Sequence, residues 1–178
     1  APIDAPHPPM PMKLSSLIAI AASLALAACV PAMATDVSIT ASAVVPSSNA
    51  VVRYATAGAT ITAGQLIYQD TADTDAAGQG KAKLSDANGA TALRVVDGIA
   101  INSASAGQIV AFVTYDPALQ IAASGLTANT ILISSATAGG LAPSADLTTG
   151  WYLTVVAVVK SGTTIFFRAP GLVSGAAS

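Results

Sequence analysis

From Val37 to Arg168 the chain is broken into short runs rich in Val, Ile, Thr and Tyr, with turn-forming clusters about every 8–12 residues. Nowhere in that stretch does an apolar pattern of helical period persist for a long helix. A backbone interrupted so often closes its hydrogen bonds between strands rather than within helices, so the spacing predicts an all-β domain. Predicted strands are Asp36 to Ala43, Ala50 to Ala55, Leu66 to Gln69, Lys81 to Leu84 and Val95 to Ala100. They continue with Gln108 to Thr114, Leu119 to Ile121, Ile131 to Ser134, Tyr152 to Lys160 and Thr163 to Arg168. In the ninth, Leu153, Val155, Ala157 and Val159 alternate with Val156 and Val158, which predicts burial on both faces. Ser161-Gly162 then reads as a two-residue hairpin turn into the last strand.

The charge inventory points the same way. All nine acidic residues are Asp, with no Glu, and only 9% of the chain is charged. Exposed helix faces are usually built from Glu and Lys, whereas Asp, Ser, Thr, Asn and Gly suit turns and sheet surfaces. With seven Lys and Arg and a net charge of −2, no basic surface for nucleic acid is expected. So sparse a charge offers little repulsion against contact between subunits.

Turn chemistry recurs. Ala-Gly-Gln precedes an apolar run at Ala63 to Gln65 and again at Ala106 to Gln108. Either a weak internal repeat or one turn solution used twice accounts for this, and the second is the expectation. Asp70 to Gly80, small and polar throughout, reads as a mobile surface loop, and Ala142 to Leu147 as one helical turn.

Residues 1–36 differ from the rest. Residues 1–12 carry five prolines and read as an extended arm. After Lys13 comes the apolar stretch LSSLIAIAASLALAACVPAMA, for which two readings stay open. Its apolar centre and Ala32-Met33-Ala34 ending fit a secretory signal, and Leu26-Ala27-Ala28-Cys29 fits a lipoprotein acylation site. Alternatively Leu14, Leu17, Ala21, Leu24 and Ala28 fall on heptad spacing, as in a retained arm with a short apolar helix. The stretch is short and alanine-rich for a membrane span. The domain division is therefore 1–36 for the arm and 37–178 for the β domain.

Catalytic chemistry finds little to work with. His7 is the single histidine and lies in the proline-rich arm, so a Ser-His-Asp arrangement would need that arm folded into a cleft. The single cysteine, Cys29, excludes an intramolecular disulfide and a cysteine-based zinc site. Asp70, Asp73 and Asp75 are oxygen donors of the kind calcium takes, but without EF-hand spacing they read as a solvated loop. Phe112, Trp151 and Phe166 read as core, and Trp151-Tyr152 reads as a buried anchor before a sugar-stacking platform. Gly139-Gly140 lacks the strand-to-helix setting of a phosphate loop. No catalytic, cofactor-binding or metal-ligating residue is assigned, and no enzyme activity is expected.

The run TILISSATAGGLAPSADLTTGWYLTVVAVVKSGTTIFF, Thr130 to Phe167, resembles the C-terminal half of the capsid decoration (head cement) proteins of tailed phages. Upstream, AGQLIYQD and KAKLSDANGATALRVVDGIAINSASAGQIVAFVT follow the same family's order of elements. The resemblance spans residues 60–168 and is densest from Gly139 to Tyr152. It implies a compact antiparallel β-barrel or β-tulip, commonly three copies about a symmetry axis of the shell, gripping the major capsid protein. It implies no cofactor and no catalytic residue. Residues 1–36 fall outside it. Capsids assemble in the cytoplasm, where no secretion signal is needed, which favours the retained arm. Two rivals remain: a receptor- or glycan-binding fibre module, and a bacterial surface lipoprotein anchored through Cys29.

Overall fold

The computed structural model describes residues 35–123 and 125–170, all within one unit, Ala34–Ser178. The expectations for residues 1–34, including His7 and Cys29, lie outside the described residues. Nine strands run in chain order: β1 (Val51–Thr56), β2 (Leu66–Thr74), β3 (Gly80–Leu84), β4 (Gly98–Ala100) and β5 (Ile109–Gln120), then β6 (Ile131–Ser134), β7 (Leu141–Pro143), β8 (Val155–Ser161) and β9 (Thr164–Arg168). They form one antiparallel sheet in the order β3-β2-β4-β5-β9-β8-β6-β7, with β1 paired to β5 off that path. The sheet curls into a half-barrel, so the all-β expectation holds. Among the described residues no helix is long and apolar enough to cross a membrane.

The central strand is β5, which joins two predicted strands into one. Between Asp116 and Leu119 the β5–β9 register shifts, and this irregularity holds Pro117, which has no N–H to give a ladder. Asp116 is fully buried there. Its carboxylate accepts hydrogen bonds from Ser47 N–H (2.8 Å), Ser47 Oγ (2.5 Å) and Ala118 N–H (2.8 Å). A charged side chain is thus spent on fixing the irregularity and tying down the turn before β1.

Leu66, Ile99, Val113, Leu119, Leu132, Val159, Ile165 and Phe167 join in the main core. Their sequence neighbours Ile67, Ala100 and Phe112 point to the opposite face and build a second cluster with Ala55, Ile61, Ala82 and Val110. Successive strand residues alternate between faces, which is why such neighbours divide between the two clusters. Each fully buried side chain of this size stabilises the fold by about 1.5–3 kcal/mol relative to exposure.

The two Ala-Gly-Gln turns share more than turn chemistry. In each, the first turn residue donates its N–H to the Gln side chain: Thr62 to Gln65 Oε1 and Ser105 to Gln108 Oε1, both at 2.7 Å. Gly64 N–H donates to Ala100 O while Gly107 N–H donates to Ala57 O, and Ile61 and Ala104 exchange both backbone bonds. The ladders repeat as well. Leu66 pairs with Ile99 and Ile67 with Gly98; their counterparts Ile109 and Val110 pair with Thr56 and Ala55. Each strand leaving one turn therefore pairs with the strand entering the other, about a local two-fold through Ile61 and Ala104. This corrects the expectation of one turn solution used twice.

The two turns differ in their cover. Both glycines have positive φ, 92° at Gly64 and 85° at Gly107. A Cβ on Gly64 would lie 2.6 Å from Ile39 Cγ2, whereas one on Gly107 meets nothing within 4 Å. Gly107→Ala should therefore cost only the backbone strain, about 1 kcal/mol. Gly64→Ala should cost about 2 kcal/mol, because Ile39 must also give way. Urea denaturation of the two variants checks this, and equal costs would contradict the packing described.

Other expectations shift. Asp36 to Ala43 forms no strand: Ile39 makes an isolated bridge to Ala123, and Ala41–Ala43 is a 3₁₀ turn. Asp36, placed with the arm, accepts a hydrogen bond from Ser135 Oγ in the body. The strand expected from Val95 begins only at Gly98. Of the loop expected from Asp70 to Gly80 only residues 75–79 lie outside strands, since β2 runs on to Thr74 and β3 starts at Gly80. The turn expected at Ala142 is β7 followed by a 3₁₀ turn at Ser144–Asp146. The last hairpin turns at Gly162-Thr163, one position later than its sequence placed it, because Ser161 pairs with Thr164.

Candidate docking surface

The β8–β9 hairpin carries the feature that sequence alone reversed. Phe166 and Phe167 are adjacent in β9, so only one of them can face the core. Phe167 is fully buried and Phe166 is 36% exposed, the opposite of a core role for Phe166. In β8 the register shifts beside Val156, where Leu132 pairs with Ala157 and Ile133 with Val155. The extra residue, Val156, is buried, and Val155 is left exposed. Two-sided burial of this strand therefore fails at Val155.

A second irregularity aligns β5 with this face. Val51 pairs with Tyr115 and Val52 with Val113, so Thr114 is an extra residue in β5. Tyr115 is turned outward against Phe166, edge to face, with ring centroids 5.7 Å apart and planes at 87°. That geometry matches the ring quadrupoles. Across the sheet, Val51, Tyr115, Phe166, Val158, Val155 and Ile131 make an apolar band over β1, β5, β9, β8 and β6. A groove of about 340 Å³ in the band is lined by Val155, Val158, Phe166, Arg168 and Pro170 among others.

Cations border the band. Arg168 pairs across from Tyr115 and lines the groove, and Arg53 lies two residues along β1 from Val51. Lys160 donates to Pro117 O at 3.1 Å. Among the described residues the ion pairs involve only Lys81 and Lys83, so Arg53 and Arg168 carry none. Exposed aromatic side chains beside arginines, Tyr115 and Phe166 with Arg168, are of the types enriched at the buried centre of a protein interface, where charge is otherwise scarce. Its signal in the sequence was the Phe-Phe pair on a strand of period 2.

The three aspartates of the expected loop have other work. Lys81 Nζ bonds Asp73 Oδ1 (2.8 Å), and Lys83 Nζ bonds Asp73 Oδ2 (2.8 Å) and Asp70 Oδ2 (3.0 Å). Asp75 accepts from Thr56 Oγ1 and from the N–H groups of Ala77 and Gln79. Lysine ammonium groups thus stand where a calcium ion would have to sit, and no group of three or more His, Cys, Asp or Glu suited to a metal occurs among the described residues.

The Lys81 and then the Lys83 hydrogen bonds hold the Asp73 carboxyl down to about 2, and Asp73 and Asp70 in turn raise Lys83. A carboxyl that is more acidic folded than unfolded binds fewer protons in the native state, so its contribution is present above the ordinary value of 3.8. That contribution is lost as pH falls towards 2. Carbon-13 NMR titration should place the Asp73 midpoint near 2, moving back towards 3.8 in the Lys81→Met, Lys83→Met double variant. A wild-type midpoint near 3.8 would contradict the pairing. Salt should weaken the effect, since these side chains are partly exposed.

Trp151 is buried with Ala87, Ile133 and Ala142, as an anchor should be. Tyr152 has Arg94 over its ring, 3.5 Å from the guanidinium carbon to the centroid. That face of Tyr152 is therefore occupied, which leaves no two-ring platform for a sugar. Gly139 and Gly140 serve the fold: Leu66 N–H donates to Gly139 O, and Gly139 N–H donates to Ser85 O, joining the β6–β7 loop to β2 and the end of β3.

No family model matches this chain, and neither a curated protein nor a solved structure matches it.

Proposed function

We propose that the chain is a structural protein of a tailed-phage particle, a decoration protein that binds the major capsid protein on the outer surface of the shell. The observation that carries this reading is the apolar band from Val51 to Ile131, flanked by Arg53 and Arg168, which have no ion pair among the described residues. A shallow, open sheet face of this composition suits broad contact with a second protein surface better than capture of a small molecule. The likeness of residues 60–168 to the decoration family supplies the partner, and the same likeness suggests a homotrimer about a shell symmetry axis. Repetition across the shell allows each contact to be weak while the assembly holds firmly. The reading assigns no catalytic residue, cofactor or metal, and no nucleic-acid partner. Residues 1–36 act in it as an arm that latches onto the shell or a neighbouring copy.

Gold-labelled antibody against the β body, applied to particles from cells that produce this chain, should mark the capsid surface. Label confined to tail tips would favour a fibre module instead. Absence of label together with lipid on Cys29, read by mass spectrometry of the mature N-terminus, would make the chain a surface lipoprotein.

A further inference from the structure

The strand edges of the sheet are unequally defended. An open edge presents unpaired N–H and C=O groups to any passing strand, and proteins usually block it with lysine, proline, a bulge or a covering segment. Edge strand β7 contains Pro143 and is covered by Val37, whose N–H donates to Leu141 O. Edge strand β3 carries Lys81 and Lys83, and its Ala82 is engaged by Ala57 and Gly58. Strand β1, Val-Val-Arg-Tyr-Ala-Thr, has none of these devices from Val51 to Ala55. Its one ladder partner among the described residues is β5, and the extra residue of that ladder lies in β5.

Side chains around this edge are unusually bare. Tyr54 at 71% and Ile109 at 59% are the most exposed large hydrophobic residues described. They are diagonal neighbours on one face of the β1–β5 pair, since Tyr54 opposes Ala111 and Thr56 opposes Ile109. Under the local two-fold, Ile109 corresponds to Leu66, which is fully buried in the main core. The chain thus covers one of two equivalent positions and leaves the other open.

We infer that the β1 edge accepts a strand from another protein, an extended segment of about five residues with aliphatic side chains and one carboxylate. The inference rests on the decoration reading, in which that protein is the capsid subunit. Backbone hydrogen bonds to Val52 and Tyr54, the residues whose polar groups face away from β5, would supply affinity, Tyr54 and Ile109 the apolar contact, and Arg53 the ion pair. The band described above reaches this edge at Val51 and Arg53, while Tyr54 and Ile109 lie on the opposite face of the β1–β5 pair, so an added strand would be contacted on both of its faces. The chain's own segments fit poorly. Residues 1–12 hold five prolines, each without a donor for the ladder, and neither residues 13–34 nor residues 171–178 hold an acidic side chain. A second β1 brings another Arg53 and no acidic residue.

Amide exchange of the full chain, free and on purified particles, tests this. Exchange at Val52 and Tyr54, whose N–H groups the β1–β5 register turns away from β5, should be fast in the free protein and at least tenfold slower on the particle. Arg53→Glu should lower particle occupancy about tenfold, and Arg53→Lys should keep most of it. Normal occupancy with unprotected β1 amides would overturn the inference and leave the decoration reading intact; failure to bind particles would overturn both. Protection already present in the free monomer would assign the edge to the chain's own arm. Protection that grows with protein concentration would assign it to a second copy, and either result overturns a foreign strand.

Discussion

Gly98→Ala is expected to remove most of the stability of the β body, about 3–5 kcal/mol against the roughly 5–15 kcal/mol of a typical domain. Gly98 is buried at the start of β4, where β2 and β5 flank it. A Cβ there would fall well inside contact distance of Phe112 Cδ2 and 2.8 Å from Val113 O. Neither neighbour can give. Phe112 is buried in the second core cluster, and Val113 O belongs to the central strand. The conflict is steric rather than conformational, because Gly98 has no positive φ. Denaturant titration should show a fall in midpoint several times that of Gly107→Ala, the open twin-turn position. A cost below about 1 kcal/mol would mean that β4 does not lie against Phe112 as described.

Asp116→Ala should cost nearly as much, about 3 kcal/mol, for a different reason. The carboxylate receives two backbone N–H groups and a hydroxyl from three directions, and alanine leaves those donors without a partner. Ser47→Ala keeps the backbone bond and loses the hydroxyl, which donates to Asp116 and accepts from Asn49 N–H at 3.3 Å, so its cost should be about 1 kcal/mol. Local opening should follow the same order, with amides of Ala50 and Val51 exchanging faster in Asp116→Ala than in Ser47→Ala. Equal effects of the two substitutions would show that the buried charge is not what holds the irregularity in β5.

Both positions show where sequence is informative and where it is not. The strands at Ile131, Gln108 and Thr163 were legible because β-branched runs there are bounded by turn residues. Asp70 to Gly80 was not, since a hairpin solvated on both faces leaves no apolar alternation to read. Asp36 to Ala43 has the composition of a strand but finds only isolated bridges, a matter of which neighbours happen to lie beside it. The outward faces of Tyr115 and Val155 were hidden for a further reason. Single-residue irregularities at Thr114 and Val156 reverse which side chains point outward, and composition does not mark them. The candidate surface is built on those two reversals, so it emerged only with the register. The repeat of Ala-Gly-Gln was visible, but its meaning lies in hydrogen bonds between distant segments.

The central claim is that the outward face of β1, β5, β9, β8 and β6 binds the shell. The most direct test is the occupancy of purified particles by a Val155→Asp, Phe166→Asp double variant, beside wild type at equal concentration. Both positions are part-exposed, so the variant should fold, with a thermal midpoint several degrees below wild type for loss of the Phe166–Tyr115 contact. Its occupancy should fall at least tenfold, because carboxylates would then sit at the centre of the buried contact. A folded variant that decorates particles as fully as wild type would contradict the claim.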